Sequence, residues 1–285
     1  MTPRVAALFV HPIKSAAAIS VDTLALDDRG AVGDRRWLII DDEGMQITAR
    51  ETPRLALVRP QFANREVVPT TSTGADGPLW VDAPGLSRMT LELPTTAATR
   101  TVRVWKDTVE AHDAGTDVAQ WMSDAIGRRC RVVRLAEHAH RPLARKYAGP
   151  LPYAGRRVAF SDGAPLLILG QASVDTLSAR LVEQGGAPMT VSRFRPNILL
   201  SHTTPHEEDS WSHIRIGDVH LGIGSPCERC VMTTINPLTG EKGVEPLRTL
   251  ATYRRWDGLV LFGMNATHAA PGHIAVGAEV DPAPM

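Results

Sequence analysis

Two cysteines separated by two residues are the feature of this sequence most capable of chemistry. Cys227 and Cys230 are two of only three cysteines among 285 residues, and Arg229 lies between them. A neighbouring arginine favours the thiolate, which is the form that acts as a nucleophile or as a ligand of a soft metal. The pair follows an apolar run at 219–224 and precedes another at 231–235, so we expect a loop between two strands.

Three other interpretations of the pair stay open from the residues alone. A structural zinc site needs about four ligands, and the remaining candidates are Cys130 and two histidines, His202 and His206, in a loop-like stretch. A thioredoxin-like dithiol is typical of the start of a helix, whereas the residues after Cys230 favour a strand. Both cysteines can also be ordinary core residues. The motif alone does not choose among these interpretations.

A second set of candidates consists of basic and polar residues next to apolar runs. Lys14 and Ser15 follow the first predicted strand, Arg35 precedes another, and Arg195 and Asn197 lie within a third. Charged side chains among apolar strands are costly unless an anion pairs with them. Phosphate is a natural partner, because a guanidinium binds it through two hydrogen bonds. Together with a reactive cysteine, the set suggests a site for a phosphorylated, metal-bearing cofactor.

Composition excludes several other classes of protein. Apolar residues make up 43% and charged residues 22% of the chain, both ordinary for a soluble globular protein. Lys+Arg and Asp+Glu are 31 each, so net charge gives no argument for nucleic acid or an anionic membrane as a partner. No stretch approaches the roughly 18 apolar residues of a membrane span. We therefore expect a cytoplasmic protein with reduced thiols.

The elements that must position these residues are mostly β in the first part of the chain. Short apolar or β-branched runs recur between turn residues, at 5–10, 37–40, 55–58, 89–93 and 101–105. Residues 64–85, rich in Thr, Gly, Pro and Asp, are predicted to form an exposed loop. Many short strands with few helices are typical of a barrel or a sandwich.

Helices alternate with strands in the rest of the chain. Apolar periodicity predicts a helix at 117–126, with Thr116 as its N-cap and Gly127 at its end. Ser173 is predicted to cap a second helix, and Pro246 to open a short third one. Further strands are predicted at 165–169, 194–200, 259–262 and 273–276. Residues 202–213 hold three histidines and three acids but lack the H-E-x-x-H spacing, so they are predicted to form a solvated loop.

One segment stands out by its charge. Residues 128–157 contain nine Lys/Arg residues and one acid, a net charge of +8. Such a segment can be a docking face for an acidic partner. A solvated connection between domains is the simpler interpretation and the one we favour.

The ordered series of motifs resembles the MOSC-domain molybdenum-cofactor proteins with a MOSC N-terminal β-barrel domain, in particular the mitochondrial amidoxime-reducing component and its bacterial relatives. Each motif is short, but they recur in order along nearly the whole chain. They are H-P-I-K-S at 11–15, G-D-R-R-W-L-I-I-D at 33–41, T-A-R-E-T-P-R-L at 48–55, S-D-G-A-P-L-L-I-L at 161–169, F-R-P-N-I at 194–198, E-D-S-W at 208–211, C-E-R-C-V-M-T-T-I-N-P-L-T-G at 227–240, E-P-L-R-T-L at 245–250 and F-G-M-N at 262–265.

The resemblance implies an α+β, mostly β fold. A MOSC N-terminal β-barrel domain at 1–125 would pack on a β-barrel-like MOSC domain with a few helices at 126–285, with the cofactor between them. Cys230 would be the catalytic residue and the metal ligand. The cofactor-binding residues implied by the resemblance are Lys14, Ser15, Arg35, Gly163, Ala164, Arg195, Asn197, Glu228 and Arg229. Gly163 and Ala164 stand where relatives often have Ser or Thr, so only backbone groups can serve there.

The resemblance also implies an activity, namely a molybdenum-cofactor-dependent reductase of N-hydroxylated compounds such as amidoximes and hydroxylamines. Three cysteines cannot supply the four thiolates of a ferredoxin-type cluster, so we expect a separate electron-donor protein, either a reductase or an iron–sulfur protein. A molybdenum-cofactor carrier and a sulfur-transfer protein are the alternatives. Nucleic acid and membrane are not expected as partners.

Overall fold

The computed structural model describes residues 2–63, 77–152 and 155–284. The strands of the first half are β1 (Arg4–Val10), β2 (Ile19–Val21), β3 (Thr23–Asp27), β4 (Gly30–Ala31), β5 (Trp37–Ile40), β6 (Arg59–Phe62), β7 (Leu79–Asp82), β8 (Met89–Leu91), β9 (Thr99–Val104), β10 (Asp107–Asp113) and β11 (Arg131–Leu135). Those of the second half are β12 (Leu166–Gly170), β13 (Ile198–Ser201), β14 (Trp211–Ile216), β15 (Val219–Glu228), β16 (Arg255–Trp256), β17 (Leu259–His268), β18 (Gly272–Ala275) and β19 (Val280–Pro284). The α-helices are α1 (Thr116–Ile126), α2 (Gln171–Glu183) and α3 (Leu247–Ala251). The predicted α+β, mostly β fold class is confirmed.

The largest sheet joins the two ends of the chain. Its strands follow the order β19-β14-β15-β17-β12-β13-β1-β2, with β16 beside β17. Only β12 and β13 pair in parallel among its named strands, and α2 connects them, as a parallel crossover requires. On the other side of β13, β1 runs antiparallel, with Leu8 opposite Ile198. As a result, the residues that follow β1 lie beside those that precede β13.

Three smaller sheets complete the fold. They have the orders β5-β11-β10-β9, β18-β3-β4 and β6-β7-β8. Strand β11 pairs with β5, with Val133 opposite Leu38, and β18 pairs with β3, with Ile274 opposite Leu24. Strands thus pair across the proposed domain division at residue 125, and that division stays a prediction.

Several apolar cores hold these sheets, and two of them are larger than the rest. The first lies on the large sheet and includes Leu8, Ile168 and Leu221, and the second fills the β5 and α1 side and includes Ile39 and Met122. Full burial of each such side chain contributes roughly 1.5–3 kcal/mol. The strand ends that emerge from these cores are therefore rigid supports for polar side chains.

The structure corrects two predictions in the first half. The expected strand at 55–58 is a 3-10 turn, Pro53–Leu57, because the proline at its start favours helical backbone angles. Part of the expected loop at 64–85 is a strand, β7, which pairs with β6 and β8. Residues 64–76 of that loop lie outside the described residues.

The helices form close to where they are predicted, but their N-caps differ. Gly115 precedes α1 in place of Thr116, while Gly127 ends it in the left-handed conformation as expected. Helix α2 begins at Gln171, so Ser173 is not its cap. The Ser173 hydroxyl instead donates to the Glu208 carboxylate at 2.9 Å.

The segment 202–213 is not a solvated loop throughout. Glu208 is completely buried and also accepts a hydrogen bond from the Gly170 amide at 3.1 Å. Burial raises the pKa of this carboxyl group. Residues from Trp211 onward belong to β14. A buried carboxylate with this set of donors ties the segment to the start of α2.

The segment 128–157 is likewise not a simple connection. It contributes β11 to a sheet, and Arg141 is buried in an ion pair with Asp107 at 2.8 Å. Other arginines of the segment pair with acids elsewhere in the chain, namely Arg128 with Glu51, Arg129 with Asp42, Arg131 with Asp113 and Arg157 with Asp28. Its role as a docking face stays a prediction.

The helices described here are too short or too polar for any of them to cross a membrane. The cytoplasmic location expected from the sequence stays a prediction.

Candidate functional site

A cavity of about 540 Å³ brings all ten sequence-predicted site residues together. They come from five separate stretches of the chain. These are Lys14 and Ser15, Arg35, Gly163 and Ala164, Arg195 and Asn197, and finally Glu228, Arg229 and Cys230. A cavity of this volume suits a cofactor-sized molecule.

Strand ends of the large sheet supply most of the cavity wall. Lys14 and Ser15 follow β1, Gly163 precedes β12, Arg195 precedes β13, and Cys230 follows β15. Because β1 and β13 are antiparallel neighbours, the end of one strand and the start of the other meet at the same edge. The sheet topology thus gathers residues that are far apart in sequence.

Three of these residues have left-handed backbone angles. The φ values are 70° at Ser15, 49° at Arg35 and 57° at Arg195. A side chain other than glycine costs on the order of 1–3 kcal/mol in such a strained conformation, which persists only where the surroundings impose it. Strain of this kind clusters at functional sites. It also stops the strand expected at 194–200 from starting before Ile198.

The cavity has an excess of positive charge. Seven Lys and Arg side chains line it, against the two carboxylates of Asp162 and Glu228. Burial, and then the charge of Arg35, lower the pKa of Arg195 to about 9. One terminal nitrogen of Arg195 and one of Arg229 are buried without a hydrogen-bond partner. Buried cationic donors without partners call for an anion.

Lys14 is the most deeply buried cation of the site, with 5% of the residue exposed. Its ammonium donates to the Phe160 carbonyl at 2.7 Å and pairs with Asp162. Burial lowers the pKa of Lys14 to about 8, although Asp162 opposes the shift. Burial by itself raises the pKa of Asp162, but Lys14 and Arg50 hold it well below its ordinary value. Asp162 is therefore an anion in the folded protein.

The two cysteines of the motif occupy different settings. Cys227 lies in β15, and burial raises the pKa of its thiol. Cys230 precedes a 3-10 turn, Val231–Thr234, so the strand expected after it is wrong. Its sulfur accepts a hydrogen bond from Arg50 Nε at 3.3 Å. Of the two, only Cys230 has a guanidinium hydrogen-bonded to its sulfur in the described structure.

Asn197 and Arg229 organise the cavity wall. The Asn197 side-chain oxygen accepts from the Leu167 amide and from Arg35, both at 3.1 Å, and its nitrogen donates to the Phe9 carbonyl and to Asp34, both at 3.1 Å. This uses the full hydrogen-bonding capacity of the amide, so Asn197 acts by holding Arg35 in place. Arg229 donates to the carbonyls of Phe262 and Phe194 at 2.7 and 3.0 Å.

Gly163 fits its position for a steric reason. A Cβ atom added there would lie 2.4 Å from the ring of Tyr147, which also lines the cavity. The glycine thus makes room for an aromatic wall. Ala164 is buried next to it and Glu228 is exposed at the cavity rim.

Sequence reasoning missed three residues of the site, namely Arg50, Trp105 and Asp162. The Asp162 carboxylate accepts from Arg50 and from the Trp105 indole, both at 3.1 Å. Burial lowers the pKa of Arg50, but Asp162 and then Cys230 raise it above its ordinary value. Arg50 and Asp162 stand in the motifs at 48–55 and 161–169, which could have drawn attention to them. Nothing in the sequence indicated Trp105 as a site residue, because it stands at the end of an ordinary run of β-forming residues.

The zinc alternative gains no support from the fold. Within the described ranges, no group of three or more His, Cys, Asp or Glu side chains is arranged to hold a metal ion. His206 instead lies against the rings of Tyr253 and Phe262, each at 5.8 Å between centroids. His206 therefore packs against aromatic side chains next to α3 and β17.

Comparison with known proteins agrees with this architecture. The MOSC N-terminal beta barrel domain matches residues 2–129, and the MOSC domain matches residues 155–281. Mitochondrial amidoxime-reducing component 1 of Mus musculus is 34% identical, over 97% of this chain and 81% of the mouse protein. Molybdenum cofactor sulfurase of Oryza sativa subsp. japonica is 30% identical, over 90% of this chain but 31% of the rice protein.

Among solved structures, the YUAD protein from Bacillus subtilis matches 98% of this chain and 94% of its own, with 13% identity and a TM-score of 0.43. The two domain matches and the near-complete alignment with the mouse protein place the sequence in one group. The chain belongs to the MOSC-domain proteins with a MOSC N-terminal beta barrel domain, the family of the mitochondrial amidoxime-reducing components.

Proposed function

We propose that the chain binds a molybdenum cofactor in this cavity and reduces N-hydroxylated compounds, such as amidoximes and hydroxylamines. The observation that carries the proposal is the meeting of the Cys230 sulfur with an excess of cations in one cavity. The names of the relatives agree with it, since they include amidoxime-reducing components.

The residues fit the phosphorylated part of such a cofactor. Arg195 and Arg229 line the cavity, and a guanidinium binds phosphate through paired hydrogen bonds. Lys14 and Arg35 add positive charge to the cavity. The negative charge of an anion among these groups would offset the desolvation that lowers the pKa of Arg195.

The residues also fit a soft metal. Cys230 supplies the sulfur ligand, and thiolate is the ligand class that soft metals prefer. When bound, the molybdenum cofactor would supply the two-electron chemistry that removes oxygen from nitrogen. Overall, R–NH–OH, two electrons and two protons give R–NH₂ and water. The protein's own residues bind the cofactor, orient the sulfur and enclose the reacting groups.

The two electrons come, in this proposal, from a separate protein. The chain has three cysteines, fewer than the four that an iron–sulfur cluster of the ferredoxin type uses. A reductase or an iron–sulfur protein fits this role.

A pair of cysteine variants tests the proposal. Cys230→Ala should retain the fold but lose reduction of a model amidoxime by a chemical electron donor, because the metal loses its protein ligand. Cys227→Ala is the matched control, since it removes a thiol that lines the same cavity, and it should stay active. Metal and pterin analysis of the purified wild-type protein should find about one cofactor per chain.

Undiminished turnover in Cys230→Ala would contradict the assignment of the ligand. Purified wild-type protein that lacks both molybdenum and pterin after expression in a cofactor-producing host would contradict the proposal as a whole.

The similarity to a molybdenum cofactor sulfurase favours a second candidate. In that case the chain would carry or transfer sulfur for the cofactor rather than reduce a substrate. A persulfide on Cys230, detected by mass spectrometry, together with no turnover by a chemical donor, would favour sulfur transfer.

A further inference from the structure

Arg50 is the one cation of the cavity whose guanidinium reaches the candidate metal ligand in the described structure. Its Nε donates to Cys230 Sγ at 3.3 Å, and one terminal nitrogen donates to Asp162 at 3.1 Å. The guanidinium carbon lies 4.6 Å from the centre of the Trp105 ring. Three contacts from three parts of the chain therefore fix its position.

Hydrogen bonds from Lys14 and Trp105 hold the Asp162 carboxylate in the position from which it contacts Arg50. One carboxylate oxygen accepts from Lys14 and from the Trp105 indole, and the other accepts from Arg50. With the two oxygens divided in this way, the carboxylate accepts from one terminal nitrogen of Arg50 and not from its Nε. The Nε donor goes to the sulfur instead.

We propose that Arg50 is a positioning residue that holds the Cys230 sulfur in its ligating orientation and tunes the metal through it. This inference rests on the proposed function. A hydrogen bond donated to a ligating sulfur fixes its direction and withdraws electron density from the metal. Hydrogen bonds to sulfur are among the factors that set the reduction potential of a metal centre, and withdrawal of electron density raises it.

A second arginine shows what an ordinary pairing of the same residue types looks like. Arg88 lies 5.0 Å from the Trp80 ring centre and donates to Asp82 from Nε at 3.0 Å and from a terminal nitrogen at 2.8 Å. Both donors thus go to a single carboxylate. Arg50 gives Asp162 only one donor and directs Nε to the sulfur. The difference marks a role for Arg50 beyond an ion pair.

The test compares Arg50→Met, Arg50→Lys and Arg88→Met in cofactor-loaded protein. Methionine keeps the length and packing of the side chain but removes every donor. The measurements are molybdenum and pterin per chain, the midpoint potential from a redox titration followed by electron paramagnetic resonance, and kcat and KM with a chemical donor and a model amidoxime.

We expect Arg50→Met to lower kcat about 10–100-fold, as the loss of an outer partner of a metal ligand commonly does, with little change in KM. Its midpoint potential should shift to lower values. Arg50→Lys should recover only part of both losses, because an ammonium lacks the planar fork that serves the carboxylate and the sulfur together. Arg88→Met should match the wild type.

A wild-type potential and wild-type kcat in Arg50→Met would overturn the inference while leaving the proposed function intact. If Arg50→Met does not fold, Arg50→Lys decides, since it keeps the charge beside Asp162: a lowered potential supports the role and an unchanged one overturns it. Wild-type protein without molybdenum and pterin would overturn the proposed function and this inference with it.

Discussion

The segment 128–157 and the cavity are both rich in cations, yet the fold treats their charges in opposite ways. In the segment, Arg131 and Arg141 each find an acid from another part of the chain. In the cavity, Arg195 and Arg229 each keep a buried nitrogen without a partner. The first set of charges is paired within the fold, and we propose that the second set binds an anion.

The difference teaches that a local excess of charge in sequence is a poor guide to a binding face. The segment has the larger excess along the chain, but tertiary partners neutralise much of it. The cavity collects single cations from separate stretches, and each of those stretches alone is unremarkable in charge. Within the described residues, Arg195 and Arg229 differ from the ion-paired arginines of the segment in that carbonyl groups, and not carboxylates, accept their hydrogen bonds.

The largest expected effect comes from breaking the pairing in the segment. Arg141 is 4% exposed and donates to Asp107 and to the carbonyls of Ala159 and Ser161. Arg141→Met should therefore lower the free energy of unfolding by about 3–5 kcal/mol, because it leaves a carboxylate and carbonyls without their donor. Urea unfolding measures the change.

The control for this prediction is Arg129→Met. Arg129 pairs with Asp42, but 84% of its side chain is exposed, so its loss should change stability by about 1 kcal/mol or less. If Arg141→Met and Arg129→Met lowered the free energy of unfolding equally, burial would not explain the contribution of Arg141.

Arg195 should contribute less to stability than Arg141. Arg195→Met removes a half-buried guanidinium that donates to the Ala16 carbonyl and has one unpartnered nitrogen, so the free energy of unfolding of the cofactor-free protein should fall by about 1.5 kcal/mol or less. Cofactor binding should weaken by about 1.5–3 kcal/mol through the lost charged hydrogen bond. Unfolding of cofactor-free protein and cofactor content after gel filtration measure the two effects. Strong destabilisation of the cofactor-free protein would erase the contrast with Arg141.

The smallest expected effect is a pH dependence in the partnered set. Burial by itself raises the pKa of Asp113, but hydrogen bonds from Arg131, the Gly115 amide and Arg100 lower it from 3.8 to about 2. Since the folded pKa lies below the unfolded value, this contribution is present above about pH 4 and is lost as the pH falls through about 2. After allowance for solvent screening, it amounts to about 1 kcal/mol.

Unfolding free energies of the wild type and of Asp113→Asn, measured from about pH 5 to 2, test this assignment. The variant should lack the loss in that window. An identical pH dependence in both proteins would assign the loss to other groups.

Some elements of the fold could be predicted from local sequence pattern, and others depend on contacts that the pattern does not show. The apolar runs at 5–10 and 37–40 predicted β1 and β5, because alternating or continuous apolar residues suit a packed strand. The run after Cys230 failed despite its β-branched residues. There the hydroxyls of Thr233 and Thr234 donate back to the carbonyls of Cys230 and Val231 at 3.1 and 2.8 Å and close a turn.

The site residues likewise fall into those that the sequence could indicate and those that it could not. Cys230 and the cations at turns could be singled out from residue type and motif, because thiolate chemistry and the cost of buried charge are properties of the residues themselves. Trp105 could not, and the motif that contains Arg50 does not show that its Nε faces the sulfur, since both depend on which atoms the fold brings together.

The sequence by itself determined the family and the mostly β class, and it predicted the residues that meet in the cavity, because these follow from motif order, apolar periodicity and side-chain chemistry. Only the tertiary structure decided which cations keep free donors and which arginine meets the sulfur of Cys230. Those outcomes depend on the antiparallel pairing of β1 with β13 and on partners supplied from distant parts of the chain, which no local pattern encodes.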